Sequence, residues 1–425
     1  MNKSVVKITS GLRGQLEIPA DKSISHRAVM FSSLAKGKSI IKNFSQGQDP
    51  LSSLKVFQAM GVDTRFIDNR TLEIVSSGEL MPPAMTLNCG NSGTTMRLVS
   101  GILAGQNFNS VLIGDESLSK RPMKRIIEPL ELMGAKIKAI DNHAPLSIFG
   151  TRLHGINYVS KLASAQVKSC ILLAGLYAEG KTSVIEPYIS RDHTERMLKY
   201  MGADIDVTGK TVTIRQSELK PQIIEICGDI SSAAYFIAAA LVVPKSKIIL
   251  KNLGLNPTRT GIIDVVQSMG GNIKILAQRQ VAGEEQGDIE VEYSELKGCN
   301  ICGELIPRLI DELPVIAVLA TQAEGDTIVK DAKDLRNKES DRISTIVNEL
   351  KKIGADIEEL EDGFVIHGKT KLTGGAEIET YHDHRLAMSM YVAGLVCEKQ
   401  ILIKDFDWVN ISFPEFCKCF EKLMD

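Results

Sequence analysis

The chain has 425 residues, of which 44% are hydrophobic and 24% are charged, and its formal net charge at pH 7 is −2. This composition excludes an intrinsically disordered chain, and the near-balance of charge argues against a nucleic-acid partner. The length exceeds what one ordinary hydrophobic core holds together, and it predicts two domains of about two hundred residues each.

No stretch of the sequence has the pattern of a targeting or membrane segment. The longest uninterrupted apolar run, 233–243, is too short to span a bilayer, and residues 1–13 lack the apolar core of a signal peptide. We therefore expect a cytoplasmic protein without a membrane partner. Cys299 and Cys302 form a CxxC pair, but no second pair or well-spaced histidine accompanies them, so no metal site is expected.

Two patterns recur along the chain. In the first, a predicted helix ends at a glycine and a strand-like alternation follows; the glycines are Gly61, Gly134, Gly202, Gly270 and Gly354. In the second, an apolar helix is followed by a turn and a β-branched strand, and its copies begin at Ala28, Leu98, Cys170, Tyr235, Val315 and Met388. These patterns predict six units of about seventy residues, three to a domain, each with two helices and several strands.

The repeats also predict the domain boundaries of an α/β (α+β) protein. One domain is expected to be continuous, residues 21–227, and the other discontinuous, residues 1–20 plus 228–425. The first pattern has no sixth strand because its last helix, 413–424, reaches the chain terminus. We predict that a strand at residues 5–8 replaces it and brings both termini into one domain.

The six apolar helices all start with capping or charged residues. The starts lie at 21–27, 91–94, 164–166, 229–232, 311–312 and 382–385. In a repeated architecture, equivalent helix ends tend to face the same way, and helix N-termini attract anions. Two such domains facing each other are expected to form a cleft lined by helix N-termini, with the active site inside it.

The stretch 88–97, Asn-Cys-Gly-Asn-Ser-Gly-Thr-Thr-Met-Arg, is the most distinctive of these helix starts. Gly90 and Gly93 allow backbone angles that are closed to other residues, and Asn91 and Thr94 are helix-capping types. Free amides are therefore expected to point out of the turn. By itself, the stretch is equally compatible with an anion site and with an ordinary capped turn.

Basic residues accompany the helix starts and adjoining turns. They are Lys22, Arg27, Arg97, Lys120, Arg121, Lys124, Arg125, Lys168, Arg191, Lys338, Arg342 and Arg385. A solvated surface position explains any one of them, but as a group they suit carboxylate and phosphate binding. No Walker loop, GxGxxG, HExxH or GxSxG motif occurs, so we expect anion chemistry without a cofactor.

Three positions near these basic residues have two interpretations each. Asp311 is either a helix N-cap or a general base. Glu339 lies between Lys338 and Arg342, in a run that is either a salt-bridged surface cap or a proton-transfer site with both bases on one helical face. His384 either caps a helix or shuttles a proton.

Nine motifs follow one another along the chain: DKSISHRA, NCGNSGTTMR, DESLSKRPM, SAQVKS, GDISSAAYF, IDELPVIAVLA, NKESDRI, YHDHRLAM and ISFPEF. In this order, and almost from end to end, they resemble the 5-enolpyruvylshikimate-3-phosphate synthase family, also called 3-phosphoshikimate 1-carboxyvinyltransferases. The resemblance implies an inside-out α/β fold of two domains with three repeated units each, which closes over two anionic substrates.

The resemblance also implies the reaction. Members of this family transfer the carboxyvinyl (enolpyruvyl) group of phosphoenolpyruvate to the 5-hydroxyl of shikimate 3-phosphate and release phosphate, by addition and elimination, on the route to chorismate and aromatic amino acids. They need no metal or organic cofactor. The implied partners are the two substrates, and a self-contained site of this kind predicts a monomer.

Matching motifs imply the role of individual residues. Contacts to shikimate 3-phosphate are implied for Lys22, Ser23, Arg27, Ser164, Ala165, Gln166, Ser190, Asp311 and Lys338. Contacts to phosphoenolpyruvate are implied for Lys22, Asn91, Gly93, Thr94, Arg121, Gln166, Arg342 and Arg385. Asp311 is the implied base at the 5-hydroxyl, and Glu339 or Lys22 is the implied proton donor to the methylene carbon.

Some positions depart from the common family pattern. Ala165 lacks a serine hydroxyl, Leu98 replaces a proline, His193 stands where some members have a tyrosine, and Ile411 replaces a ligand-binding lysine. These differences indicate a divergent branch. Gly93 is retained, so the phosphonate inhibitor glyphosate is expected to enter the site.

Two alternative functions are weighed against this one. The related enolpyruvyl transferases acting on UDP-N-acetylglucosamine usually carry a reactive cysteine in the loop before an Arg-Pro pair, whereas residues 115–120, before Arg121 and Pro122, contain none. A non-catalytic protein that binds phosphorylated metabolites would have lost its acid and base groups. Asp311 and Glu339 are both present.

Overall fold

The structure, a computed structural model, describes residues 1–424. The chain divides into two compact units. The terminal unit contains Met1–Pro19, Cys227–Arg279 and the chain from Glu285 onward. The central unit contains Ala20–Ile226 and Gln280–Glu284.

The chain begins with strands β1, Lys3–Val5, and β2, Arg13–Glu17. The strands that follow in the central unit are β3 (Gly37–Lys42), β4 (Asp63–Phe66), β5 (Leu72–Ser76), β6 (Leu87–Asn88), β7 (Ser110–Ile113), β8 (Lys136–Ile140), β9 (His143–Phe149), β10 (Asn157–Val159), β11 (Lys181–Ile185), β12 (Ile205–Thr208), β13 (Thr211–Arg215) and β14 (Ile223–Glu225). The helices of this unit are α1 (Lys22–Leu34), α2 (Gln48–Ala59), α3 (Gly93–Ala104), α4 (Glu116–Ser119), α5 (Lys124–Leu132), α6 (Ala165–Gly175) and α7 (His193–Tyr200).

The rest of the chain supplies the remaining strands: β15 (Lys247–Gly254), β16 (Asn272–Val281), β17 (Glu284–Glu292), β18 (Asn300–Ile301), β19 (Gly325–Val329), β20 (Ile357–Leu360), β21 (Gly363–Gly368), β22 (Glu377–Ile378) and β23 (Ile401–Ile403). Its helices are α8 (Ile230–Val242), α9 (Gly261–Ser268), α10 (Ile306–Leu309), α11 (Leu313–Thr321), α12 (Arg342–Lys352), α13 (His384–Gly394) and α14 (Phe416–Met424). Short 3-10 helices lie at Gly303–Leu305, Lys333–Asn337 and Phe406–Ile411.

Within residues 1–424 the strands form six small sheets; five have four strands each in one repeated topology, and the sixth has three strands. The central unit has the orders β14-β3-β5-β4, β6-β7-β9-β8 and β10-β11-β13-β12, and the terminal unit has β16-β17-β15-β2, β18-β19-β21-β20 and β1-β23-β22. In the β6-β7-β9-β8 sheet, β6 pairs in parallel with β7 across α3, and the hairpin β8–β9 adds the antiparallel strands. The predicted α/β architecture of six repeated units is confirmed.

Distant segments complete three of the sheets, one of them through the parallel pairing of β2 with β15. β14, the last strand of the central unit, pairs in parallel with β3. At the termini, β1 pairs antiparallel with β23 through Lys3–Val5 rather than through the predicted residues 5–8. The reason is that β23 has only three residues, so the ladder ends at Val5 opposite Ile401; the amide of Ile8 instead donates to the carbonyl of Leu395 at 3.0 Å.

The apolar helices of the repeats form the interior of each unit. Every residue of α8 is buried, and α3, α6, α11 and α13 are buried over most of their surface. A helix that is apolar all round is typical of such an interior position. No helix within residues 1–424 has both the length and the hydropathy of a membrane span. Within the same residues, no three His, Cys, Asp or Glu side chains are grouped to hold a metal ion.

In the central unit, α3 and α6 approach each other so closely that only glycine fits at one position. A Cβ atom built on Gly101 would lie 2.1 Å from the carbonyl oxygen of Cys170. That oxygen belongs to the backbone of a buried helix, so it cannot rotate away as a side chain could. Gly101 therefore sets the distance between the two helices.

Overpacking a core usually costs about 1–3 kcal/mol. We expect Gly101→Ala to lower the free energy of unfolding by more than this, because two helix backbones must separate. The higher helix propensity of alanine returns only about 1 kcal/mol. Urea unfolding followed by circular dichroism measures the change. An unchanged midpoint and slope would contradict the close packing.

A buried hydrogen-bond chain connects α1, α2 and α3. His26 Nδ1 lies 2.7 Å from Ser53 Oγ, which lies 2.8 Å from Thr95 Oγ1, and Thr95 in turn donates to Ser92 Oγ at 2.8 Å. Ser92 is the N-cap of α3. Burial, and then the nearby cations Lys22 and Arg27, hold the pKa of His26 well below its usual value. This histidine is therefore neutral in the folded protein.

The unfolded chain binds a proton at His26 near pH 6.5, and the folded chain does not. The free energy of unfolding therefore keeps the full contribution of this site above that pH and decreases as the pH drops below it. We expect His26→Asn, which keeps a polar group near Ser53, to reduce the slope of stability against pH by up to about 1.4 kcal/mol per pH unit. Unfolding measured between pH 7 and pH 5 tests this. Parallel curves for both proteins would exclude a neutral buried His26.

Candidate active site

Three helices of the central unit begin at motifs that we predicted to bind anions. α1 begins at Lys22, α3 at Gly93 and α6 at Ala165. Asp21 and Ser92 cap α1 and α3 with their side chains, and no side-chain cap precedes α6. The remaining first-turn amides give each helix start a partial positive charge.

Lys22 is held by a residue that the sequence analysis did not single out. Its Nζ lies 3.0 Å from Oδ2 of Asp49, and both side chains are largely buried. Asp49 lies in the first turn of α2, where a carboxylate is stabilised by the helix dipole. An acidic residue directly before Pro50 at a helix start was the available signal for this partner.

Arg27 joins three elements of the central unit rather than extending into solvent. Its guanidinium donates to Thr194 Oγ1 at 2.7 Å, to Ser169 Oγ at 3.0 Å and to the carbonyl of Ser23 at 2.9 Å. Burial lowers the pKa of Arg27 to about 10, and the neighbouring carboxylate of Glu195 opposes that change. Arg27 remains a cation at neutral pH, fixed beside the start of α1.

Four of the residues implied for phosphoenolpyruvate are linked by side-chain hydrogen bonds. Arg121 Nη2 donates to Asn91 Oδ1 at 3.1 Å, and Gln166 Nε2 donates to Thr94 Oγ1 at 3.1 Å. Arg97, which the sequence analysis listed only as a basic residue, is buried and donates to Gln166 Oε1 at 2.6 Å. These bonds from Arg97 and Thr94 to Gln166 fix the start of α3 relative to the start of α6.

Gly93 lies where two of these arginines approach the start of α3. A Cβ atom on Gly93 would lie 2.9 Å from Arg97 Nη1 and 3.5 Å from Arg121 Nη1. The crowded atoms are the ends of flexible side chains, so alanine would displace the arginines rather than the helix. The missing side chain thus makes room for the two arginine groups.

Ser190 is buried and its polar groups are engaged. Its hydroxyl donates to Glu186 Oε1 at 2.5 Å, and its carbonyl accepts from Lys168 Nζ at 3.3 Å. Ser164 and Ala165, by contrast, are partly exposed at the start of α6. Neither Glu186 nor the burial of Lys168 was recognised from the sequence.

In the terminal unit, Asp311 lies among three cations. Its Oδ1 is 3.3 Å from Arg342 Nη1 and 3.7 Å from Lys338 Nζ, and its Oδ2 is 3.8 Å from Arg385 Nη2. α11 begins two residues later, and Asp311 is not its cap, so the N-cap interpretation is wrong. The sequence placed these four residues at three separate motifs, and the fold brings them together.

Asp383 bonds to two of these residues, to the side chain of Arg342 and to the backbone of Arg385. It accepts from Arg342 Nε at 2.7 Å and Nη2 at 3.2 Å, and its side chain caps α13 by accepting from the amide of Arg385 at 2.9 Å. Glu339 accepts a further bond from Arg342 Nη2 at 2.6 Å. Burial alone would lower the pKa of Arg342, but Asp383 and Glu339 raise it above its usual value. His384 therefore does not cap α13; that role belongs to Asp383, which the sequence analysis did not single out.

The run from Lys338 to Arg342 differs from its predicted form. Lys338 lies outside α12 because the chain turns extended there after the 3-10 helix Lys333–Asn337. Asp341 caps α12 by accepting from two amides at 3.2 Å. The prediction that Lys338 and Arg342 share a helical face is therefore wrong, and so is a surface location for Arg342, which is buried.

Two of the basic residues at the helix starts are ordinary surface groups. Lys120 and Lys124 are exposed and pair with Glu116 and Glu128 one helical turn away. Such exposed pairs contribute little to stability. The surface interpretation is confirmed for these two lysines.

Comparison with known proteins finds one family over almost the whole chain. The family model of EPSP synthase (3-phosphoshikimate 1-carboxyvinyltransferase) matches residues 6–420. The 3-phosphoshikimate 1-carboxyvinyltransferase of Bacillus licheniformis is 51% identical over 98% of each chain. The protein of the same name from Thermodesulfovibrio yellowstonii is 52% identical over 100% of each chain.

Solved structures show the same fold. An EPSP synthase from Acinetobacter baumannii superposes with a TM-score of 0.89 and 42% identity, covering 99% of this chain and 98% of that one. The enolpyruvyl transferase NikO from Streptomyces tendae superposes with a TM-score of 0.80 over 99% of this chain and 96% of that one, at 16% identity, which shows a common fold alone. The chain therefore belongs to the EPSP synthase family, and it is a transferase of the shikimate pathway that moves the carboxyvinyl group of phosphoenolpyruvate to shikimate 3-phosphate.

Proposed function

We propose that the residues gathered in the two units act on one pair of substrates, as the cleft expected from the sequence would require. The observation that carries this proposal is the environment of Asp311, a carboxylate within 3.3 to 3.8 Å of three cationic side chains. A carboxylate in that position is suited to take a proton from a hydroxyl group while the cations hold anionic substrates.

Asp311 acts as the base in the addition step. It removes the proton of the 5-hydroxyl of shikimate 3-phosphate, and the oxygen attacks C2 of phosphoenolpyruvate. The methylene carbon gains a proton from Glu339 or Lys22, which gives a tetrahedral intermediate. Elimination then removes a proton from the methyl group and expels phosphate, so the acid and base roles reverse.

The two substrates are assigned to two groups of residues that share Lys22 and Gln166. Shikimate 3-phosphate is bound by Lys22, Ser23, Arg27, Ser164, Ala165, Gln166, Ser190, Asp311 and Lys338. Phosphoenolpyruvate is bound by Lys22, Asn91, Gly93, Thr94, Arg121, Gln166, Arg342 and Arg385. The engaged hydroxyl of Ser190 must exchange its bond to Glu186 if it is to donate to a phosphate.

Most of the cations are already fixed by neighbouring side chains. Asp383 holds Arg342, Asn91 bonds to Arg121, and Asp49 holds Lys22. Groups that are held in this way lose little conformational freedom when charge develops on the intermediate, so they stabilise it more than either substrate.

We further propose that the protein works as a monomer in the cytoplasm. All the groups assigned to the two substrates come from a single chain. Sedimentation of the purified protein, with and without both substrates, tests the monomer; a stable dimer that loses activity on dilution would contradict it.

The overall proposal is tested by phosphate release. Purified protein should release phosphate only when phosphoenolpyruvate and shikimate 3-phosphate are both present. Release with UDP-N-acetylglucosamine in place of shikimate 3-phosphate would select that alternative reaction. Binding of both substrates without turnover would select a non-catalytic binder.

We expect Asp311→Asn to reduce kcat by about 10²–10⁴-fold, the usual contribution of a general base, with much smaller changes in both KM values. The amide keeps the size of the side chain but cannot accept the proton. Steady-state phosphate release measures the effect, with Asp326→Asn, an exposed carboxylate paired with His367, as the control. Equal losses in kcat and in substrate affinity would remove Asp311 from the base role.

We expect Gly93→Ala to raise KM for phosphoenolpyruvate about tenfold or more and to raise the glyphosate concentration needed for inhibition, because displaced arginines no longer hold the small anion. KM for shikimate 3-phosphate should change by less than about twofold, since none of the residues assigned to it lies in α3. Titration of the wild-type protein and of Gly93→Ala with each substrate measures both KM values. A parallel rise in both KM values would mean that alanine disturbs the whole unit.

A further inference from the structure

Lys168 is one of the most deeply buried charged side chains of the described structure, and no substrate contact is assigned to it. It lies in α6, two residues after Gln166, with 1% of its side chain exposed. Its Nζ is 2.8 Å from Glu186 Oε2 and 2.7 Å from Glu195 Oε1. We call Lys168, Glu186 and Glu195 the buried charge triad.

The triad contacts Ser190 at three atoms. Glu186 accepts from the hydroxyl of Ser190 at 2.5 Å and from its amide at 3.3 Å, and Lys168 donates to its carbonyl at 3.3 Å. These bonds fix the backbone and the side chain of Ser190 together. A change in either charged partner must therefore move or release this residue.

The same triad reaches Arg27 through the start of α7. Glu195 follows Thr194, whose hydroxyl accepts from Arg27 Nε at 2.7 Å and lies 2.6 Å from Ser169 Oγ. The negative charge of Glu195 also opposes the effect of burial on Arg27. The triad thus adjoins both an arginine and a serine that we assign to shikimate 3-phosphate.

Stability alone does not account for this arrangement. Taking one ammonium and two carboxylates out of water costs several kcal/mol per ion, and well-packed apolar side chains of similar size are often as stable or more so. A buried ion group does, however, fix the directions of its hydrogen bonds more strictly than apolar packing can.

We propose that the buried charge triad positions Ser190 and Arg27 and so sets the affinity for the phosphate group of shikimate 3-phosphate. This inference rests on the proposed function for the identity of the ligand. The three residues are positioning residues, because they act on the substrate through Ser190 and Arg27. The phosphoenolpyruvate groups at the starts of α3 and α12 lie on other elements than the triad, so the affinity for phosphoenolpyruvate should change much less than the affinity for shikimate 3-phosphate.

The test compares Lys168→Met with the double variant Lys168→Met/Glu195→Gln. The single variant leaves two buried carboxylates without their cation and should lose stability, whereas the double variant removes one of these charges and should recover part of it. In both, the Kd of shikimate 3-phosphate should rise about tenfold or more, because the bonds from Lys168 to Ser190 and Glu186 are lost in each. KM for phosphoenolpyruvate should change by less than about threefold.

Lys352→Met is the matched control, because it removes a lysine from another buried carboxylate, Glu349, in the terminal unit. It should leave the Kd of shikimate 3-phosphate unchanged. If Lys168→Met fails to fold, Glu186→Gln carries the same comparison, since it keeps the side-chain size and removes the charge that holds Ser190.

Calorimetric titration with shikimate 3-phosphate gives Kd without turnover, so the two proposals are tested separately. A stable double variant with wild-type Kd for shikimate 3-phosphate overturns the positioning role. Equal weakening of shikimate 3-phosphate and phosphoenolpyruvate also overturns it, since that result indicates general loosening. Wild-type protein that binds shikimate 3-phosphate but releases no phosphate with both substrates overturns the proposed function, and the Kd comparison still decides the role of the triad.

Discussion

The burial of cationic side chains is the constraint on which the candidate site depends. An arginine removed from water must have its charge balanced and its donors engaged, or the fold loses several kcal/mol. Arg342 meets this requirement through Asp383, Glu339 and Asp311, and Arg27 meets it through hydroxyl and carbonyl oxygens. The same partners that make burial tolerable also fix where each guanidinium points.

The repeated architecture places the charged residues of the candidate site at the starts of equivalent helices. Each unit contains three small sheets and buries apolar helices such as α3 and α8, whose starts carry the charged motifs. Because the helices are buried along their length, their first turns cannot shift without disturbing the core. Close packing, as at Gly101 against the backbone of Cys170, therefore helps to fix the positions of the groups at the helix starts that we propose to bind anions.

Several partners of the site residues could not be found from the sequence because they are distant along the chain. Asp49 pairs with Lys22, and Glu186 pairs with Lys168. Single carboxylates are common in solvated helices and turns, so even an acidic residue directly before Pro50 at a helix start does not indicate Lys22 as its partner. The sequence analysis considered His384 rather than Asp383 as the helix cap, and the bonds of Asp383 to Arg342, which is 41 residues earlier, required the fold.

The sequence by itself determined the family, the six repeated units and the helix starts that carry the charged motifs, because these depend on local periodicity, glycine positions and ordered motifs. Only the tertiary structure decided which charges are buried and with what partner. It separated Lys120, a solvated surface group, from Lys168, a buried one, and it showed Asp311 among cations rather than at a helix cap. Burial and charge pairing arise from contacts between distant segments, so the local pattern of one motif cannot specify them.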